Sequence, residues 1–243
     1  MDRMFITSVG TGIGKTLVTA VLCFQLARSG RTVRAIKPVV TGFSPDDRAS
    51  DPALILRSLG SVATPESIAA IAPLRFSEPV SPHLAARREG RTISIDDVAR
   101  FCQEQSAEDN GLLLIEGAGG VMSPIDDAHT NLDLMARLGH PVILVTGTYL
   151  GVLSHTLTAL AVLRARGLVL RGIVVSESEH DVGLIDTVEA IDQFAGVDIP
   201  LYALPRLTGS DEEKWLAAPS LVAICRDQRD RCSHMTMDKQ KES

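Results

Sequence analysis

Four cysteines, Cys23, Cys102, Cys225 and Cys232, are scattered through this chain of 243 residues, and no two of them form a C-x-x-C pair. Metal-ligand spacing is missing too, so cysteine usage points to a reducing compartment rather than to a disulfide framework or a zinc site. Cys23 and Cys102 fall in helical patterns, where a free thiol behaves as a small hydrophobe. No long run of Lys and Arg occurs, and the net charge is −6. That balance argues against a nucleic-acid or anionic-membrane surface. No charged leader followed by a long apolar stretch opens the chain, and no span approaches about 18 uninterrupted apolar residues. The expectation is a cytoplasmic protein with neither nucleic acid nor membrane as partner. Internal repeats are absent as well.

What is present is apolar material in short, regularly spaced runs. Hydrophobic residues make up 45% of the chain, ample for a core, and the length suits one α/β domain. Strand-like runs are expected at residues 5–9, 33–36, 112–115, 141–145, 171–175 and 199–204. Helical patterns lie between them at 15–29, 132–138, 153–166 and 182–194. "SIDD" at Ser94–Asp97 is an approximate capping box for a further helix to about Gln105. Uninterrupted apolar runs such as 112–115 are the mark of strands covered on both faces. The alternation predicts a single-domain, mostly parallel sheet with helices on both faces and ligands at the carboxyl ends of its strands. We expect this domain to span residues 1–225, followed by a polar, disordered tail over 226–243.

Directly after the first run comes "SVGTGIGKTLVTA", which nearly matches the phosphate-loop pattern G-x-x-x-x-G-K-[ST] except that Val9 takes the place of its first glycine. Strand, loop and helix follow in the order that the mechanism needs. Gly10, Gly12 and Gly14 allow successive N–H groups to converge on phosphate oxygens, and the helix adds its positive end. Lys15 would neutralise β/γ-phosphate charge and Thr16 would offer its hydroxyl to Mg²⁺.

Three further positions narrow the chemistry. "AIKPVVTG" sets Lys37 at the end of the second strand, on the loop's edge of the sheet, with Thr41 close behind. Asp51 heads a helix in "ASDPALIL", where, read alone, it serves the helix dipole. Glu116 ends a buried strand in "LLLIEGAGG", a place where a carboxylate is costly unless ion-paired or metal-bound.

Taken together, "TGIGKT", "KPVVTG", "SDPALIL", "FSEPVSPHLAA", "IEGAGG" and "PVILVTGTYLGVLSHTLT" resemble the dethiobiotin synthetases, in the family's order from residue 5 to about 206. "EPVSPHLAA" is the most discriminating, because phosphate-loop proteins in general lack it. The resemblance implies a P-loop ligase that uses ATP, Mg²⁺ and CO₂ to carboxylate 7,8-diaminononanoate and close the ureido ring of dethiobiotin. It implies Lys15, Lys37 and Thr11 as catalytic residues, with Thr41 a hydroxyl donor to substrate. Nucleotide contacts fall to Gly12, Ile13, Gly14, Lys15, Thr16, Glu116, Gly117, Ser176 and Pro205. Thr16, Asp51 and Glu116 match the metal ligands. Ser81, at the head of a short helix that starts with Pro82, has a positioning role beside the substrate; His83 reads as structural. The helix that opens at Gly151, with Val152 and Ser154, would receive the substrate carboxylate from the second subunit of a homodimer.

Three positions depart from the family. Gly12 stands where many relatives have Glu or Asp, and Ser154 where Asn is usual. Ser176-Glu177 replaces an Asn that meets adenine, which puts base selectivity in question. Two other readings stay open. Cobyrinate-diamide-synthetase-type amidoligases share the loop but carry a glutaminase domain for which this chain has no room. Partitioning ATPases carry a second lysine where Gly10 stands here.

Overall fold

The computed structural model describes residues 2–107, 111–196 and 199–226. The expected tail lies outside the described residues from 227 onward. The first half of the chain runs β1 (Asp2–Ser8), α1 (Lys15–Arg28), β2 (Val33–Ile36), β3 (Val39–Val40), α2 (Asp51–Ser58), α3 (Pro65–Ile71), β4 (Leu74–Arg75), α4 (Pro82–Arg88) and α5 (Ile95–Ala107). It continues through β5 (Leu112–Glu116), α6 (Asn131–Leu138), β6 (Val142–Thr146), α7 (Val152–Ala165), β7 (Leu170–Ser176), α8 (Leu184–Ala195), β8 (Leu201–Leu204) and α9 (Asp211–Ala217). A short 3₁₀ turn, Val222–Cys225, follows.

The main sheet has the order β2-β5-β1-β6-β7-β8 with every pairing parallel. From the central β1 the chain builds first toward β2 and β5, then reverses to add β6, β7 and β8. Such a reversal opens a crevice at the carboxyl end of the central strand.

Strand alternation sorts the side chains into two cores. Met4 and Ile6 of β1, with Leu112 and Leu114 of β5 and Ile143 and Val145 of β6, face Val18, Val21, Leu22 and Leu26 of α1. Phe5, Leu113, Ile115, Val142 and Leu144 face Val98 and Cys102 of α5, Met135 of α6 and Leu160 of α7. Both faces are therefore covered, which is why these strands read as continuous apolar runs rather than alternating ones. Cys23, Cys102 and Cys225 are buried and free, and burial pushes each thiol up to about 12.

Several local expectations change. β5, β6 and β7 each run one residue further, ending on the polar Glu116, Thr146 and Ser176, while β1 starts at Asp2 and leaves Val9 in the loop. Apolar content does not mark these ends, because the parallel ladder continues until the chain turns. The box at Ser94 does not close: its hydroxyl accepts from the Asp96 N–H at 3.1 Å, while Asp97 pairs with Arg100. Ser81 precedes α4 without a side-chain cap; its hydroxyl meets His83 Nδ1 at 3.1 Å instead. Reciprocal capping boxes do form at Thr64 with Ser67 and at Ser210 with Glu213. The small β3–β4 pair and α9 were not foreseen, being short or largely polar.

Candidate active site

The loop between β1 and α1 lies at the central crevice. Gly12 and Gly14 hold φ of 74° and 98°, a left-handed conformation that a side chain strains. Gly10 is not in that region, contrary to expectation; the close approach there belongs to Gly120. A Cβ on Gly120 would lie 3.0 Å from Gly10 N and 3.1 Å from Ser8 O. The loop after β5 therefore lies directly on the phosphate loop, fastened by the Val121 N–H donating to Ser8 O at 2.9 Å. On its other side a Cβ on Gly14 would sit 2.9 Å from Ser176 Oγ at the end of β7. α1 starts at Lys15, so its first-turn N–H groups and positive dipole end point into the crevice.

Behind the loop lies a knot of charge. Lys37 Nζ donates to Glu116 Oε1 at 2.7 Å and also bonds Asp51 Oδ2. Thr16 Oγ1 donates to the same Glu116 Oε1 at 2.7 Å. Glu116 is fully buried, and its second oxygen, Oε2, has no hydrogen-bond partner. Burial disfavours the Lys37 charge, but Glu116 and Asp51 outweigh it and hold the lysine above its usual value. Asp51 is partly desolvated, yet Lys37 keeps it below the ordinary carboxylate range. Asp51 thus does more than serve the dipole of α2.

Lys15 behaves differently. Its ammonium donates to Ser8 Oγ at 3.0 Å and to Gly10 O at 3.4 Å. Burial pulls its pKa down to about 8, with Lys37 adding to the fall and Glu116 opposing it. A phosphate anion beside it would reverse that penalty.

Two adjoining cavities open beside the loop. One, of about 270 Å³, is lined by Thr11, Gly12, Ile13, Gly14, Lys15, Thr16, Lys37, Thr41 and Asp51, with Ala118 and Gly119 as its far wall. The other, of about 420 Å³, shares Gly12, Ile13 and Gly14 and extends to Ser176, Glu177, Pro205, Asp211, Lys214 and Trp215. The two cavities meet at Gly12, Ile13 and Gly14.

The remaining sequence candidates fall elsewhere. Gly117 sits behind the cleft, where an added Cβ would lie 2.9 Å from the Phe5 ring. Ser81, Gly151, Val152 and Ser154 line neither cavity. Gly151 caps α7 with φ 93° beside the exposed Leu150. The Val152 N–H donates to Tyr149 O at 3.0 Å and its side chain is buried. Sequence reasoning missed Ser8, which anchors Lys15; Glu177, noted beside Ser176, has its Oε2 accept from the Arg206 N–H at 2.7 Å at the rim of the larger cleft. Ser8 was detectable as a polar residue closing a buried strand.

The site oxygens suit a hard divalent cation. Thr16, Asp51 and Glu116 supply only oxygen, and the unpartnered Glu116 Oε2 is a buried acceptor awaiting a donor or a cation. Among the described residues no three His, Cys, Asp or Glu side chains gather in one place. Such a cation would therefore complete its shell with phosphate oxygens and water, as Mg²⁺ commonly does.

A family model described as an AAA domain matches residues 2–214. The chain is similar to an ATP-dependent dethiobiotin synthetase of Caulobacter sp. (strain K31), 46% identical over 208 residues, or 85% of this chain and 89% of that protein. It is 52% identical over 180 residues to the enzyme of that name from Caulobacter vibrioides (strain NA1000 / CB15N), covering 73% of this chain and 81% of the relative. Among solved structures it resembles the MinC:MinD cell division complex of Aquifex aeolicus, at TM-score 0.54 and 11% identity over 89% of this chain and 86% of that one. A ParA family ATPase of Chlorobium tepidum TLS gives TM-score 0.53 and 14% identity over 93% and 97%. At such identities the structural likeness speaks for the fold alone. Among the described residues no helix is long and apolar enough to cross a membrane.

Proposed function

The chain belongs to the ATP-dependent dethiobiotin synthetase family, and from that membership we propose how its own residues perform the reaction. It is an ATP-dependent ligase of biotin biosynthesis; the substrates we assign are 7,8-diaminononanoate, CO₂ and ATP. One amine of the diamine adds to CO₂ and loses a proton, giving a carbamate. A carbamate oxygen attacks the γ-phosphorus and ADP leaves. The second amine then attacks the carbonyl carbon of the mixed anhydride, expelling phosphate and losing a proton as the ring closes.

The difficulty is that two anions must meet in line. The observation that carries the reading is Lys37, buried between Glu116 and Asp51 at the wall of the smaller cleft. Two carboxylates hold that ammonium charged, so it can meet the charge that builds between carbamate and γ-phosphate. Lys15, Thr11 and the α1 amides hold the phosphates, and Thr41 lies within the same cleft as a donor to the carbamate. Thr16, Asp51 and Glu116 would hold Mg²⁺, which when bound neutralises phosphate charge. Ser176 and Pro205 flank the base, and Ser81 positions the diamine. The α7 mouth at Gly151 and Ser154 is assigned to the substrate carboxylate of the neighbouring site in a homodimer, since it lies outside the clefts of its own chain. We place the enzyme in the cytoplasm.

The test is release of phosphate from ATP with and without 7,8-diaminononanoate and bicarbonate, together with detection of dethiobiotin by mass spectrometry. Release should depend on the diamine. Phosphate release that ignores it would overturn the reading in favour of a switch ATPase.

A further inference from the structure

The loop after β5 supplies the far wall of the phosphate cleft through Ala118 and Gly119. Its shape is imposed from behind by Asn131, the first residue of α6. Asn131 is buried, and its side-chain amide reaches back into the loop. Nδ2 donates to Gly120 O at 2.9 Å and also bonds Ala118 O. Asn131 is itself held in place. Its backbone N–H donates to Ser123 O at 3.0 Å, and the Thr130 N–H and hydroxyl both donate to Asp133 Oδ2 at 2.9 Å, fixing the start of α6.

In a planar trans peptide, a carbonyl held on one side sends the next residue's N–H to the other. The bond between Gly120 and Val121 behaves this way. Gly120 O accepts from Asn131 and from the Ser123 N–H at 3.0 Å, while the Val121 N–H points away to Ser8 O at 2.9 Å. The bond between Ala118 and Gly119 follows the same rule. Ala118 O is turned toward Asn131, on the side of a small inner cavity that both residues line, and Ala118 also lines the phosphate cleft. The Gly119 N–H is thereby aimed at the cleft. It has no hydrogen-bond partner among the described residues. Gly119 O accepts from Ser8 Oγ at 3.3 Å, and a Cβ on Gly119 would lie 3.7 Å from Thr11 Oγ1, beside a hydroxyl already assigned to the phosphates.

We propose that Asn131 is a positioning residue, which claims the Ala118 carbonyl and so fixes the Gly119 N–H as a donor to the terminal phosphate of ATP. A donor set in advance costs no reorganisation when charge builds on that phosphate. Without the Asn131 amide the peptide is free to turn over, and an anion would then meet the Ala118 carbonyl instead of an N–H. ADP lacks the terminal phosphate, so the arrangement bears on one nucleotide and not on the other. The proposal rests on the ATP-dependent reading above, but no diamine enters its binding test. Phosphate release that ignores the diamine would strike the carboxylation chemistry and leave the result of that test standing.

The test compares ADP with the β,γ-imido analogue of ATP, each with Mg²⁺, on the full-length enzyme. Labelling alanine at its carbonyl carbon and glycine at nitrogen selects Gly119 and Gly196, the two glycines that follow an alanine in this sequence. In the wild type the Gly119 amide proton should move downfield when the imido analogue replaces ADP, while the Gly196 signal stays in place. Asn131→Asp keeps the shape of the side chain but loses both amide hydrogens, and Asn131→Ala removes the group altogether. By isothermal titration each should bind the analogue about tenfold or more weakly. ADP affinity should stay within about twofold, since its contacts to Lys15 and the loop amides remain. An equal loss for both nucleotides would mark Asn131 as general scaffolding and overturn the proposal. A folded variant that binds the analogue as the wild type does would overturn it too. A Gly119 signal that is the same with either nucleotide overturns it without recourse to any variant.

Discussion

Replacing Lys37 with alanine should damage stability and turnover separately, and the structure sets the size of each effect. Glu116 is fully buried and relies on Lys37 for the short ion pair at its Oε1. Removing one partner of a buried pair leaves an uncompensated charge and costs about 3–5 kcal/mol. Asp51 adds little to that figure, because its side chain is 42% exposed and solvent screens it. For a protein of this size the loss corresponds to a fall in Tm of about 6–20 °C, measured by scanning calorimetry with EDTA present. Deleting both charges in Lys37→Met/Glu116→Gln should recover most of it, since the penalty is for the orphaned carboxylate rather than for lost attraction. Turnover should fall on the order of 10²–10³, the usual cost of one donor to transition-state charge. ATP affinity should change far less, as Lys15 and the loop amides remain. A single variant as stable as wild type, or a double variant no better than the single, would refute the account of the buried pair. Comparable turnover would sink the catalytic assignment.

Gly14→Ala should lower nucleotide affinity about tenfold or more by isothermal titration, because its φ of +98° and a Cβ 2.9 Å from Ser176 Oγ add strain of about 1–2 kcal/mol. Ser176 cannot make the paired donor and acceptor contacts of an amide, so kcat/KM for ATP, CTP and GTP should agree within about tenfold; an ATP preference of several orders of magnitude would show that the base is read elsewhere. Asp126 is partly desolvated, but the amides of Ile95, Ala128 and His129 hold its carboxyl below the usual range. A folded pKa below the unfolded one stabilises above about pH 4 and is lost as pH falls through the folded value, so Asp126→Asn should flatten the acid limb of a urea-midpoint profile. Finally, heterodimers of Lys37→Ala with Gly151→Glu, purified with two tags, should regain about half of wild-type activity per dimer if sites are shared across a two-fold interface; an inactive heterodimer would rule the sharing out.

The main sheet was legible because each of its strands is buried on both faces and so reads as an apolar run between turns. The glycine loop was legible because glycine at a left-handed position leaves a mark in sequence that no other residue leaves as plainly. Short or polar elements escaped: β3 and β4 contribute two residues each, and α9 is held by a capping box and by Trp215 packed on Phe24 at 5.5 Å between centroids. The site was legible as parts and not as a circuit. Lys37, Asp51 and Glu116 come from three elements and stand 14 and 79 positions apart, so no local pattern could show that one ammonium joins both carboxylates. Read alone, Asp51 was merely the first residue of a helix.

Polar residues at the ends of buried strands carry the chemistry here, but position in the sheet decides which of them do. Ser8, Glu116 and Thr146 are all fully buried where β1, β5 and β6 end. On β1 and β5 the neighbouring loops hold glycine against glycine, as at Gly10 and Gly120. Backbone amides there stay available, and Ser8 and Glu116 serve the two lysines. On β6 the same kind of residue is consumed internally, for Thr146 Oγ1 meets Thr156 Oγ1 of α7 at 2.6 Å and locks sheet to helix. Desolvation costs the same at each strand end and must be met by some partner. Where a cleft opens in front of the strand end, as it also does at Ser176 on β7, that partner can be a ligand. A buried polar strand end therefore counts as a site candidate in proportion to the space in front of it, and Glu116, itself outside the phosphate cleft, acts there through Lys37 and Thr16, which both line the cleft and bond its Oε1.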